Sequence, residues 1–216
     1  MKFICPFLLV FCVFLHTNAM AQDTSYYASR NRSTIYYEDF NNNSDTNWNS
    51  KHACYYGKVE NGYYVYEVKK KQSFVRYFDV EIDTNRNFEI EFVVNVPDRK
   101  SRHSWAVFSW DRQRGAYSGN SYVFTVRENG FLAISYGNPN GNRKTLYRTK
   151  PTITVNGYNK YSIQRKGAIY LLFVNGAFTG SFPYFPLRNK TMGIGAGAEN
   201  KLGTAIYDYV KVSYVE

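Results

Sequence analysis

Three carboxylates, Asp79, Glu81 and Asp83, recur at every second position, and on an extended strand that spacing sets all three on one face. Carboxylates about 5 Å apart can serve as acid and nucleophile on a glycosidic bond. The same alternation turns Val80 and Ile82 the other way, which reads as the wet side of a half-buried strand. Glu89 and Glu91 read alike: Phe88, Ile90 and Phe92 supply the apolar face, and the two acids face solvent. A Ser or Cys nucleophile needs a neighbouring base. Beyond residue 21 the chain holds only His52 and His103, in no recognisable motif and with no metal-ligand spacing. No catalytic residue and no metal site is assigned.

A second set of residues suits recognition. Aromatic rings match the apolar face of a pyranose, and planar polar side chains match its hydroxyls. Between residues 104 and 136 the chain offers Trp105, Trp110, Arg112, Arg114, Tyr117, Arg127 and Tyr136. Alternation along 104–110 puts Trp105 and Trp110 on opposite faces, so one enters the core and the other is available, and the sequence leaves open which. Arg112, Arg114 and Tyr117 belong to a polar, Gly-containing loop over 111–120, the kind of segment that carries function. If the next strand buries Tyr122, Phe124 and Val126, then Arg127 turns outward and joins that loop's cations. Against this, a chain with 21 Tyr and 16 Phe must also fill a core with aromatics.

The elements that position these residues are strands. Short alternating runs of aromatic and β-branched residues are separated by turn residues. Five Asn-Gly pairs, starting at Asn61, Asn129, Asn140, Asn156 and Asn175, favour the positive φ angles of tight hairpins and mark five strand reversals. Fourteen strands are expected, among them 74–82, 88–96, 104–110 and 122–127, with no amphipathic helix. So many short antiparallel strands must pack as two sheets, making a large sandwich in a single domain. Gly193, Gly195 and Gly197 read as small residues for close sheet packing, since no helix follows to make a phosphate site.

The N-terminus predicts export. Lys2 precedes an apolar run from Phe3 to Leu15, and Ala19 and Ala21 fit a cleavage site. Residues 1–21 are therefore expected to be a signal peptide, 22–33 a flexible segment and 34–216 the domain, secreted or in the periplasm or cell envelope. No later run is long and apolar enough to span a bilayer. Cys5 and Cys12 leave with the leader, so Cys54 stands alone and is expected to be buried. Without Lys2 the chain has 26 basic and 17 acidic residues, about +9. An exported basic protein meets anionic glycans, lipopolysaccharide or membrane surfaces rather than nucleic acid.

Several ordered segments together resemble the concanavalin A-like lectin and glucanase jelly rolls, particularly small exported bacterial domains. They are Glu38-Asp39-Phe40 with Trp48 downstream, the runs 59–64 and 87–91, Tyr122-Val123-Phe124 leading to 128–131, then 157–160, 172–176 and the closing 206–212. The resemblance spans about Ile35 to Val215. It implies two curved antiparallel sheets and a concave face that in many relatives holds a carbohydrate. Catalytic relatives carry Glu-x-Asp-x-Glu on one strand, a string this chain lacks. Some relatives hold a structural calcium ion, for which Asp39 or Asp208 would supply oxygens; no other cofactor is expected. The expectation is a non-catalytic module binding an extracellular or envelope carbohydrate. The first alternative is a structural or protein-interaction domain, and the second a divergent glycosidase.

Overall fold

The structure, a computed structural model, describes residues 31–42, 47–97, 103–113, 120–137, 142–199 and 202–216. The expected leader, the segment 22–30, Arg114, Tyr117 and Asn140 lie outside the described residues. Within them the chain forms β1 (Arg32–Glu38), β2 (Ser50–His52), β3 (Tyr55–Glu60), β4 (Tyr63–Val68), β5 (Ser73–Asp79), β6 (Phe88–Asn95), β7 (Ser104–Arg112) and β8 (Ser121–Arg127). There follow β9 (Leu132–Gly137), β10 (Arg143–Thr149), β11 (Asn159–Lys166), β12 (Ile169–Val174), β13 (Ala177–Pro183), β14 (Thr191–Ala198) and β15 (Gly203–Val215). The protein is all-β, as its alternating pattern requires.

A nine-stranded sheet runs β13-β12-β11-β6-β15-β4-β3-β2, with β1 also on β15, and a six-stranded sheet runs β10-β9-β8-β7-β14-β5. Every pairing is antiparallel. The two sheets face one another across an aromatic core. Phe92 of the larger sheet stacks on Phe108 of the smaller at 4.6 Å, with Phe124 and Tyr161 around them. Tyr207 reaches from β15 across the core. Its hydroxyl lies within donor reach of the carbonyls of Val107, at 2.8 Å, and Gly195, at 2.7 Å. That hydroxyl has no water to turn to, so its bond to the opposite sheet fixes the β7–β14 register from beneath.

Three of the Asn-Gly pairs reverse strands as expected. Asn61-Gly62 and Asn175-Gly176 hold positive φ at both residues, the geometry of a two-residue hairpin turn, and Asn129-Gly130 joins β8 to β9. Asn156-Gly157 does not make a hairpin. It lies in the crossing from β10 of one sheet to β11 of the other, closed by Asn159, whose side chain accepts the Thr154 amide (2.8 Å) and donates to the Thr154 and Gly157 carbonyls (3.0 and 3.1 Å).

Other differences from expectation are local. β5 stops at Asp79 rather than Ile82. The Asp79 carboxylate accepts the Thr191 hydroxyl (2.7 Å), the chain then leaves the sheet, and Asp83 caps a turn by accepting the Asn85 amide (2.9 Å). Asp79, Glu81 and Asp83 therefore share no strand face. β1 begins at Arg32, two residues before the expected domain boundary, and β2 was not anticipated. Cys54 is half-buried in the β2–β3 turn rather than buried.

Glu89 overturns its expected exposure. It is 3% exposed on the outer face of the larger sheet, where it accepts hydrogen bonds from Arg32 (2.6 Å), Gln164 (3.2 Å) and the Ser162 hydroxyl. Burial opposes its charge, but the bonds from Ser162 and Arg32 and the Arg32 charge outweigh burial, so the carboxyl titrates below its ordinary range. A depressed folded pKa gives stability that is full above the unfolded value and is lost as pH falls through the folded one. Glu89→Gln is expected to cost about 1–3 kcal/mol at pH 7. In urea melts from pH 7 down to pH 3 its gap from wild type should narrow in acid; a gap constant over that range would contradict this role.

Candidate functional site

The outer face of the six-stranded sheet gathers the recognition residues. Phe108, Trp110, Phe124 and Ile194 point into the core, so alternation turns Trp105, Val107 and Ser109 of β7 outward. Register carries the same face to Val123, Thr125 and Arg127 of β8, to Gly193, Gly195 and Gly197 of β14, and to Val75 and Tyr77 of β5. Beyond β8 it takes in Ser135 and Gly137 of β9, then Arg143 and, after a bulge, Arg148 of β10. A second bulge, between Ser109 and Arg112 where β7 meets β14, returns Arg112 to this face.

Trp105 anchors one end. Its indole crosses β14 so closely that a Cβ at Gly197 would sit 2.3 Å from the ring, and its Nε1 donates to Ser73 on β5 at 3.0 Å. Only glycine at 197 leaves room for this. The half-exposed ring is thus laid over the sheet and tied at its far edge. Arg127 stands 5.9 Å from the ring and pairs with Glu199 at 2.7 Å. Nearby, His103 meets Glu128 at 3.6 Å.

The other end is basic. The Arg112 guanidinium lies 5.0 Å from the centre of the Tyr77 ring. Tyr77 and Arg143 stand on the two edge strands, five strand spacings or about 24 Å apart at their backbones in a flat sheet. Burial raises the Tyr77 pKa against the nearby charges of Arg112 and Arg143, and burial together with the Arg112 charge lowers that of Arg143. The floor between the two ends is made of small residues and is sheltered, with Val107 3% and Ser109 1% exposed. The Ser109 hydroxyl is buried with no hydrogen-bond partner.

The structure divides the sequence candidates. Trp105, Arg112 and Arg127 share the face. Trp110 does not: it is fully buried, stacked on Tyr122 at 4.7 Å, with its Nε1 donating to the Tyr170 hydroxyl at 3.2 Å. Tyr136 also faces inward, wedged between Tyr122 and Phe185 with both ring centres 4.8 Å away. Arg127 does not join Arg112. Because β7 and β8 are antiparallel, Arg127 pairs with Trp105, at the strand end about 20 Å from Arg112. Arg143, Arg148 and Tyr77 were not singled out in the sequence; the alternation of β10 is legible only once its bulge near Thr145 is known.

Carboxylates are sparse here. Among the outward positions of the six strands only Asp79 is acidic, and it is engaged by Thr191. Asp111 occupies the β7 bulge in a left-handed conformation (φ 59). It is 1% exposed, and its Oδ1 accepts the amides of Arg188 (2.6 Å) and Asn189 (2.8 Å). Burial raises its pKa against those bonds. Its role is to clamp the segment leading into β14. Glu89 and Glu91 lie on the opposite side of the molecule, on the nine-stranded sheet.

Asp39 and Asp208 are close enough to interact: Asp208 is raised by burial and then by the Asp39 charge, whereas the Asn41 amide holds Asp39 low. No third Asp, Glu, His or Cys among the described residues joins them. Calcium takes six to eight oxygens, so two carboxylates do not by themselves make its cage, and no role is derived for the ion.

Solved structures share this architecture. The catalytic domain of an endo-1,3-β-glucanase (laminarinase) from Thermotoga petrophila superposes with a TM-score of 0.62 at 13% identity, over 87% of this chain and all of that one. The fold is a concanavalin A-like jelly roll. The CBM2 module of the evolved Dit protein of Lactobacillus casei BL23 phage J-1 has the same jelly roll, with a TM-score of 0.58 at 10% identity over 87% of this chain and 97% of that one. A carbohydrate-binding module from Bacillus subtilis, CBM66, matches at 0.50 and 14% identity over 67% and 84%. No protein-family model matches the chain, and no curated protein matches it.

Proposed function

We propose that this protein is an exported, non-catalytic recognition domain that binds an extracellular or envelope carbohydrate along the outer face of its six-stranded sheet. One observation carries the reading: Trp105 is laid over Gly197, pinned to Ser73 and left half-exposed. A core does not need an indole there, while a pyranose ring stacks on such a surface. The small floor residues and the unpartnered Ser109 hydroxyl fit a polyhydroxylated ligand. The jelly-roll neighbours include carbohydrate-binding modules and glucanases, which is consistent with the same class of ligand here. The catalytic alternative needs two carboxylates facing one another across the groove; the outward strand positions of this face provide one, Asp79, already bonded to Thr191, and Glu199 at its end is paired with Arg127.

The test is a glycan array that includes acidic polysaccharides, probed with residues 22–216 at low and at physiological salt. Selective binding to defined saccharides that persists at physiological salt is the expected result. Adsorption that vanishes with salt, or none, would favour a structural or protein-interaction domain, since exposed charge alone is screened. The export component predicts a product outside the cytoplasm whose N-terminus, read by mass spectrometry, is Gln22.

A further inference from the structure

On one side of the sandwich the edge strands are β2 of the larger sheet and β5 of the smaller. Between them opens a cavity of about 320 Å³, walled by Ser50, Tyr55, Tyr66, Val75, Arg76 and Tyr77, a volume in the range of small-molecule sites. Arg76 is in register with the buried Ile194, so it turns from β5 toward the larger sheet, where its guanidinium donates to the Asn47 carbonyl. Among the described residues no carboxylate pairs with Arg76, and none lines the cavity. A guanidinium partly withdrawn from water, with donors to spare, is a receptor for an anion. Tyr66 is 1% exposed, its ring packed on those of Tyr55 and Tyr64, each 5.7 Å away. Buried tyrosine hydroxyls ordinarily find a partner, yet that of Tyr66 bonds to no described residue, and neither do those of Tyr55 and Tyr77. The phenols and the guanidinium thus line one space with hydrogen-bond donors unspent.

We propose that this cavity is a pocket for a single acidic sugar residue, whose carboxylate or sulfate ester is received by Arg76 and the Tyr66 hydroxyl while its ring sits against the walls made by Tyr55 and Tyr77. Val75 and Tyr77 belong both to the cavity and to the outer face of the six-stranded sheet, so the pocket adjoins the β5 rim of the proposed ligand face and takes a terminal or branching residue of a glycan bound there. The inference rests on the carbohydrate reading above and adds to it a second, charge-selective place of contact. A guanidinium fork matches either oxyanion in bidentate geometry.

The test is calorimetry at physiological salt with glucuronate, glucose 6-sulfate, glucose and inorganic sulfate. An acidic sugar is expected to bind at least about tenfold more tightly than glucose, and the tighter of the two identifies the oxyanion. Arg76→Gln should abolish that preference, and Arg76→Lys should keep part of it. Tyr66→Phe should weaken the acidic sugar severalfold while Tm stays at or above that of wild type, because the lost hydroxyl leaves no protein partner behind. Lys144→Gln, on the edge strand β10 at the other side of the smaller sheet, should change nothing. Equal binding of acidic and neutral sugars would overturn the inference, and so would an equal loss in Arg76→Gln and Lys144→Gln, which would mean net charge alone. Inorganic sulfate binding as tightly as glucose 6-sulfate would remove the sugar from the pocket, and a lowered Tm in Tyr66→Phe would make its hydroxyl structural; either result also overturns it. Each of these outcomes leaves a positive glycan array untouched, so the carbohydrate reading stands or falls separately, on the array.

Discussion

Trp105→Ala is expected to weaken glycan binding by about 2 kcal/mol, roughly thirtyfold, because an aromatic ring on which a ligand stacks carries a disproportionate share of affinity. The fold should survive. Trp105 is half-exposed and contributes one hydrogen bond to Ser73 and a loose contact with Arg127, together about 1 kcal/mol of stability. For a domain of this length that shifts Tm by about 2–4 °C. Trp105→Phe should recover much of the affinity, since a ring still lies over Gly197. Calorimetry with an array-identified saccharide and a thermal melt on the same sample separate the two effects. Unchanged affinity in Trp105→Ala would remove the observation on which the proposed function rests.

Trp110→Ala should do the opposite, although it lies five residues along the same strand. The side chain is fully buried among Tyr122, Tyr170 and Phe182, so truncation leaves a cavity and orphans the Tyr170 hydroxyl. The expected cost is about 3–5 kcal/mol, a fall in Tm of roughly 6–20 °C. The protein that remains folded at low temperature should bind glycan within a few-fold of wild type, because nothing of Trp110 reaches the outer face. A large loss of affinity with an intact melt would show that the assignment of the two faces is wrong.

The contrast between these tryptophans shows what alternation reveals and what it withholds. Period-two patterning places Trp105 and Trp110 on opposite faces from sequence alone, and the strand series emerges from the same pattern with ends shifted by a few residues. Which face is the core depends on the partner sheet, and that is long-range information. The short, polar β2 carries no such pattern and exists because Ser50–His52 pairs with β3. Glu89 reads as solvated by alternation, yet Arg32, 57 residues away, and Ser162 and Gln164, more than 70 away, close over it. The family-like residues prove structural: Glu38 accepts the Trp48 indole N–H at 2.8 Å, and Phe40 packs edge-on against that ring. They mark the fold and leave the ligand face unmarked. That face is assembled by register from six strands, so Arg112 and Arg143 come to share it only through one bulge and three strand pairings.

The most direct test is an amide chemical-shift titration of isotopically labelled protein with an array-identified oligosaccharide. The amides of Gly193, Gly195 and Gly197 fall in a sparsely populated region of the spectrum and report on the middle of the proposed face, and the Trp105 indole N–H reports on its end. Saturable shifts in these four signals, with those of Glu91, Lys160 and Tyr209 on the opposite sheet unmoved, are the predicted result. Shifts confined to the nine-stranded sheet would contradict the account.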